Sequence, residues 1–224
     1  MIIAFVNSKG GVGKSTLAGS LVGWLRGHGR SVILADCDTQ CSSSEWIREA
    51  APEVRVVRLS NSDEVLDELP LLASESEFVI ADGPGSQTET SRALLLCADL
   101  AVIPCKASMM EARALSKNTS FVRQAQAIRK GPPDAIAVLS MVGRGYRLTK
   151  DMREAAMSLH LSLAETPIIL RQAIADAPGQ AKFCGNMGFA AREAARDLDT
   201  LFRELFPKIG LETASEIRMA NDGE

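Results

Sequence analysis

The stretch Lys9-Gly10-Gly11-Val12-Gly13-Lys14-Ser15-Thr16 gathers two lysines, three glycines and two hydroxyls into eight residues. A glycine-rich turn between a short apolar run and a helix start suits a polyphosphate. Consecutive backbone N–H groups can cradle the anion, and the helix N-terminus favours negative charge. In that chemistry Lys14 reaches the outer phosphates, the Ser15 hydroxyl ligates Mg2+, and Thr16 lies one position beyond. The general spacing G-x-x-x-x-G-K-[ST] is met at Gly13, Lys14 and Ser15, with Ser8 in place of the first glycine. One lysine suffices for such a loop, so Lys9 calls for a separate explanation. A plain glycine turn is the simpler alternative, but it leaves the lysine, hydroxyl and helix start unexplained.

Two acidic turns could complete the chemistry. Ala35-Asp36-Cys37-Asp38-Thr39-Gln40 closes one apolar run, and Ala81-Asp82-Gly83-Pro84-Gly85 closes another. Strand-end carboxylates facing a phosphate loop are where a Mg2+ shell or an attacking water must be held. Asp82 is the candidate Mg2+ holder, through water, and Asp38 the second acid at the metal. Gly83 and Gly85 would permit a switch that senses the terminal phosphate. Alone, two acids in a turn could equally be solvated.

The elements that must position these groups follow from periodicity. Short apolar runs at 2–6, 31–38, 54–59, 78–85, 99–105 and 135–142, with a brief one at 167–170, read as strands buried on both faces. Helical spacing is found at 14–25, 42–50, 90–98, 108–129, 149–163 and 189–205, and more weakly at 63–73, where Pro70 should cut it. Strands alternating with helices predict an α/β fold, a mostly parallel sheet with helices on both faces. Residues 1–208 are expected to form one domain and 209–224 an acidic C-terminal tail.

Composition is that of an ordinary globular chain: 224 residues, 46% hydrophobic, 24% charged, net charge −3. Five cysteines without a CxxC pair argue for reduced thiols and a cytoplasmic setting. Met1 leads into Ile2–Val6 without a basic leader, and no apolar run reaches the length of a membrane span, so export and membrane insertion are not expected.

The sequence KGGVGKST, with a lysine before the double glycine, resembles the deviant Walker-motif ATPases of the ParA/MinD family, from Ile2 to about Phe206. The resemblance implies a P-loop NTPase fold with a deviant Walker A motif, with ATP and Mg2+ bound by residues 9–16. It also implies a homodimer in the ATP state, in which Lys9 reaches the phosphates of the partner subunit. Asp36, Asp38 and Gln40 match the family's D-x-D-P-Q pattern, with Thr39 in place of proline. Asp38 would thereby position the attacking water, joining Lys9 and Lys14 as catalytic residues, and Asp36 would support the metal and switch region. Asp82 matches the Walker B acid, and Pro104 the proline that ends the following strand. Arg171 falls in a late loop near the dimer interface or the base, and an adenine-reading asparagine is not evident at Ser140-Met141. Cys184 lies too late to serve the Fe–S cluster of the nitrogenase iron proteins. The stretch EIRMANDGE lacks the basic amphipathic character of a membrane-targeting helix, so no stable membrane attachment is expected.

Charge is unevenly spread. Residues 36–99 hold 14 acids and 4 bases, whereas residues 105–153 hold 10 bases and 3 acids. Lys106, Arg113, Lys117, Arg123, Arg129 and Lys130 lie on or beside one long helix, followed by Arg144, Arg147, Lys150 and Arg153. Such clustering suits sequence-independent contact with duplex phosphates, with Arg144, Arg147 and Lys150 as the candidate DNA-binding residues. A solvated helix face is the alternative. The resemblance implies a nucleoid-associated partition ATPase stimulated by a centromere-binding or cargo adaptor protein. A related ATPase that positions a protein cargo, a metabolic P-loop enzyme and a non-hydrolysing interaction module are the other readings.

Overall fold

The computed structural model describes residues 1–86, 89–143 and 148–208, with the side chains of 109–112, 148–150 and 206–208 outside the description. The tail at 209–224 and the candidate DNA-binding residues Arg144 and Arg147 lie outside the described residues, as does the side chain of Lys150.

Among the described residues, seven strands, β1 (Ile2–Phe5), β2 (Val32–Asp36), β3 (Arg55–Arg58), β4 (Phe78–Asp82), β5 (Leu100–Cys105), β6 (Asp134–Leu139) and β7 (Ser162–Leu163), form one sheet in the order β3-β2-β4-β1-β5-β6-β7. Every pairing is parallel. Parallel neighbours require crossovers, and these are the helices α1 (Lys14–Gly27), α2 (Ser42–Ala50), α3 (Ser62–Glu75), α4 (Glu89–Cys97), α5 (Met109–Arg129) and α6 (Leu148–Ser158). Two more, α7 (Gln172–Gly179) and α8 (Arg192–Lys208), follow β7.

Alternation along β1 shows how the layers are built. Ile3 and Phe5 pack with α1, α2, α7 and α8, while Ile2, Ala4 and Val6 pack with α3, α4, α5 and α6. Both faces of the sheet are therefore covered, which is why its strands read as continuous apolar runs.

Five differences from expectation appear. Pro70 does not cut α3, which continues to Glu75. Val65, Leu69 and Leu72 bury one stripe of that helix, and Pro70 stands on the exposed side, so the missing N–H costs one bond near solvent. The helix expected to reach residue 163 stops at Ser158, and residues 162–163 form β7 beside Ile136 and Ala137. The chain turns at His160, with φ 49°, just before the buried Leu161. Around Ile169 only a single bridge to Val142 forms instead of a strand. The helix expected from 189 begins with a short 3-10 turn, Phe189–Ala191, and α7 lies where no helix was expected.

Candidate phosphate and metal site

Sheet order brings the chemistry together. β4 lies between β2 and β1, and its last residue, Asp82, is in register with Asp36 on one side and Phe5 on the other. The loop after β1 thus rises beside both acidic turns at the C-terminal ends of the strands, where ligands of open parallel sheets bind. A cavity of about 550 Å3 opens there. Its lining includes Gly10, Gly11, Gly13, Lys14, Ser15, Thr16, Asp38 and Gly85.

Glycine is required in this loop: Gly11 and Gly13 adopt φ of +68° and +93°. The Gly13 carbonyl then accepts from Leu17 N at 2.9 Å, which starts α1 under the loop. Lys14 is 5% exposed, and its Nζ donates to the Lys9 carbonyl at 3.1 Å. Burial lowers its pKa, while Asp82 and Asp38 pull it up. Lys9 and Val12 do not line the cavity. Val12 is buried, and its carbonyl accepts from the Ser140 hydroxyl; Lys9 is half-buried.

The two acidic turns have different fates. Asp36 is spent on local structure: Oδ1 accepts from Asp38 N at 3.1 Å, and Oδ2 from Ser44 N at 2.8 Å in the first turn of α2. A carboxylate at a helix N-terminus is favourable there. Asp38 is half-buried, and its Oδ1 accepts from Gln40 N at 3.0 Å. Asp82 is fully buried, and neither carboxylate oxygen has a hydrogen-bond partner. Burial pushes its pKa up to about 7. The nearby Ser15 and Ser43 hydroxyls and the Lys14 ammonium oppose that rise without completing a bond, and Asp36 adds to it. A buried orphan carboxylate is costly unless a cation or proton satisfies it. Asp82 with the Ser15 hydroxyl therefore offers the oxygen donors a hard divalent cation takes.

Gly83 follows Asp82 because nothing larger fits. Its N–H donates to the Phe5 carbonyl at 3.0 Å, and an added Cβ would lie 2.7 Å from that oxygen. Gly85 approaches Gly10, with an added Cβ 3.3 Å from its Cα.

Several expected residues are engaged elsewhere. Arg171 is held by Asp197 at 2.6 Å and by Glu193, beside a separate cavity of about 690 Å3. On α5, Arg113 and Lys117 are exposed, whereas Arg123 donates to the Leu159 carbonyl and Arg129 to that of Ala98. The five cysteines are unpaired, and among the described residues no group of three or more His, Cys, Asp or Glu could hold a metal. No described helix is long and apolar enough to cross a membrane. Asn7, Asn118 and Ser140 brace the loop and were not picked out from the sequence. Their signal was a polar residue at the end of a buried strand or on the buried face of a helix.

A search of curated protein sequences gave no match. Among solved structures, McdA from Cyanothece superposes with a TM-score of 0.75 at 15% identity, covering 91% of this chain and 98% of that one. A protein from Borrelia burgdorferi B31 described as a plasmid partition protein, bound to AMPPNP, gives 0.69 at 18% identity, over 91% and 98%. Cobyrinic acid a,c-diamide synthase from Mycobacterium smegmatis, with an ATP analogue and magnesium, gives 0.68 at 18% identity, over 95% and 97%. These likenesses show the shared P-loop NTPase fold. The family model described as the CobQ/CobB/MinD/ParA nucleotide binding domain matches residues 3–183, and the chain belongs to that family.

Proposed function

We propose that this chain is a Mg2+-dependent ATPase of the ParA type that dimerises around ATP, binds duplex DNA without sequence preference, and segregates a DNA cargo. The observation that carries its nucleotide chemistry is Asp82: a fully buried carboxylate with two unpartnered oxygens, next to Lys14 and Ser15. Mg2+, held by Ser15 and Asp82 with Asp38 as the further acid beside it, would neutralise phosphate charge and fix the phosphates in place.

Each residue then has a task. Backbone N–H groups of residues 10–16 bind phosphate oxygens, and Lys14 supplies a cation already stripped of water. Asp38, on the cavity wall, orients the attacking water and accepts its proton. Lys9, whose side chain is outside the wall of its own cavity, serves the site of a second copy, so that assembly reads out bound ATP. Arg144, Arg147 and Lys150 contact DNA phosphates, as do the exposed Arg113 and Lys117 of α5, and a centromere-binding or cargo adaptor protein stimulates turnover. The setting is cytoplasmic and nucleoid-associated.

Calorimetry and sedimentation test this together. Lys14→Ala should lose most ATP affinity, whereas Lys9→Ala should keep it and stay monomeric in ATP. Unchanged ATP binding in Lys14→Ala would reject the nucleotide site. Wild-type dimerisation of Lys9→Ala would reject the cross-subunit lysine.

A further inference from the structure

The loop that carries Lys9 is anchored by two buried amides. Asn7, 4% exposed, directly follows the β1 side of the sheet; Asn118, 6% exposed, comes from the middle of α5, 111 residues later. Asn7 Nδ2 donates to the Pro104 carbonyl at 2.6 Å, and its Oδ1 accepts from Lys9 N at 3.0 Å and from Asn118 Nδ2 at 3.0 Å. Asn118 Oδ1 accepts from Ser8 N at 3.1 Å.

The orientation of both amides is forced. The Pro104 carbonyl can only accept, so it faces the Asn7 amide nitrogen and leaves Oδ1 toward the loop. Ser8 N can only donate, so it faces Asn118 Oδ1 and turns Nδ2 toward Asn7. Flipping either amide would set donor against donor or acceptor against acceptor inside a buried site. The end of β5, the middle of α5 and the first residues of the phosphate loop are therefore one hydrogen-bonded unit. That unit ends at Lys9, whose own carbonyl holds Lys14 Nζ.

We propose that Asn118 is a positioning residue: acting through Asn7 and Ser8, it fixes the backbone from which Lys9 projects toward a second subunit and locks that backbone to helix α5. This rests on the cross-subunit role of Lys9 proposed above. It also explains why a polar amide occupies the buried face of α5, beside Leu115 and Val122. Arg113 and Lys117, both exposed, lie on the same helix within five residues of Asn118.

The test compares the unaltered chain with Asn118→Ala, which removes the amide without adding bulk, and Asn118→Asp. The latter keeps an acceptor for Ser8 N but sets a carboxylate oxygen against Asn7 Oδ1. Three quantities are read: amide exchange at Ser8 and Lys9 without nucleotide, ATP affinity of the monomer, and association in ATP. In Asn118→Ala, exchange at Ser8 and Lys9 should quicken about tenfold, the equivalent of one lost hydrogen bond. Association should weaken about tenfold or more, while monomer affinity stays within about threefold. Asn118→Asp should retain Ser8 protection yet associate no better than Asn118→Ala. Unchanged exchange in Asn118→Ala would overturn the clamp, and so would loss of ATP affinity as large as the loss of association. If the unaltered chain stays monomeric in ATP, the cross-subunit role of Lys9 fails, and the exchange data on nucleotide-free protein still decide whether Asn118 holds the loop.

Discussion

Replacing Asp82 by asparagine removes a charge that the nucleotide-free fold holds at a cost. The carboxyl ordinarily titrates at 3.8, and burial raises it to about 7 in the folded chain. With the folded value above the unfolded one, stability is highest below the unfolded pKa and falls as pH rises toward the folded pKa, because the unfolded carboxyl ionises first. Integrated over that window, this one group costs about 2 kcal/mol at pH 5 and about 4 kcal/mol at pH 8. The loss between those two pH values, about 2–3 kcal/mol, corresponds to about 5–10 °C in Tm for a chain of this size. Asp82→Asn keeps the shape and cannot ionise. The attraction of Lys14 to the ionised carboxylate is already contained in the folded value of about 7, and the amide's own hydrogen-bonding demand sets a pH-independent offset between the two proteins. The diagnostic quantity is therefore the divergence of the curves and not their separation at one pH. Urea unfolding followed by circular dichroism, from pH 5 to 8 with EDTA and no nucleotide, should show the wild type weakening relative to Asp82→Asn as pH rises. Adding Mg2+ and ATP at pH 8 should stabilise the wild type more than the variant. Parallel stability curves across the window would refute the buried, unpartnered carboxylate as the origin of the cation site.

Asp38→Ala should bind ATP like the unaltered chain and hydrolyse it about 100-fold or more slowly, as loss of a proton acceptor implies; single-turnover assays check this, and wild-type turnover would dismiss the role. Gly83→Ala places a Cβ 2.7 Å from the Phe5 carbonyl and should cost about 1–3 kcal/mol by denaturant unfolding, with β1 and β4 forced apart. Duplex DNA affinity in ATP should fall steeply with salt and ignore sequence. Neutralising Arg144, Arg147 and Lys150 together should reduce the slope of log K against log salt by about 2–3, and an unchanged slope would place the contact elsewhere.

What the sequence determined by itself is the chemistry that depends on near neighbours. The phosphate loop is legible because its glycines, lysine and hydroxyl must be adjacent, and the strand before it and helix after it are set by local apolar spacing. The alternation of elements likewise implied a parallel sheet, since parallel strands need crossovers. Long-range geometry decided the rest. Asp36 and Asp82 look alike in sequence, each ending an apolar strand, yet the strand order places β4 against β1, so Asp82 is enclosed without partners while Asp36 turns aside to hold α2. Periodicity could not end α6 at Ser158, because the partner of Ser162 and Leu163 is β6, an edge that only the folded sheet supplies. Nor could it foresee Pro70 inside α3, where packing of Val65, Leu69 and Leu72 outweighs one missing hydrogen bond. The pairing of Asn7 with Asn118 is furthest from sequence reach. Asn118 meets Ser8 and Asn7 only when folding carries them to it across 110 and 111 residues, and a hydrogen bond, unlike a hydrophobic stripe, leaves no period along the chain.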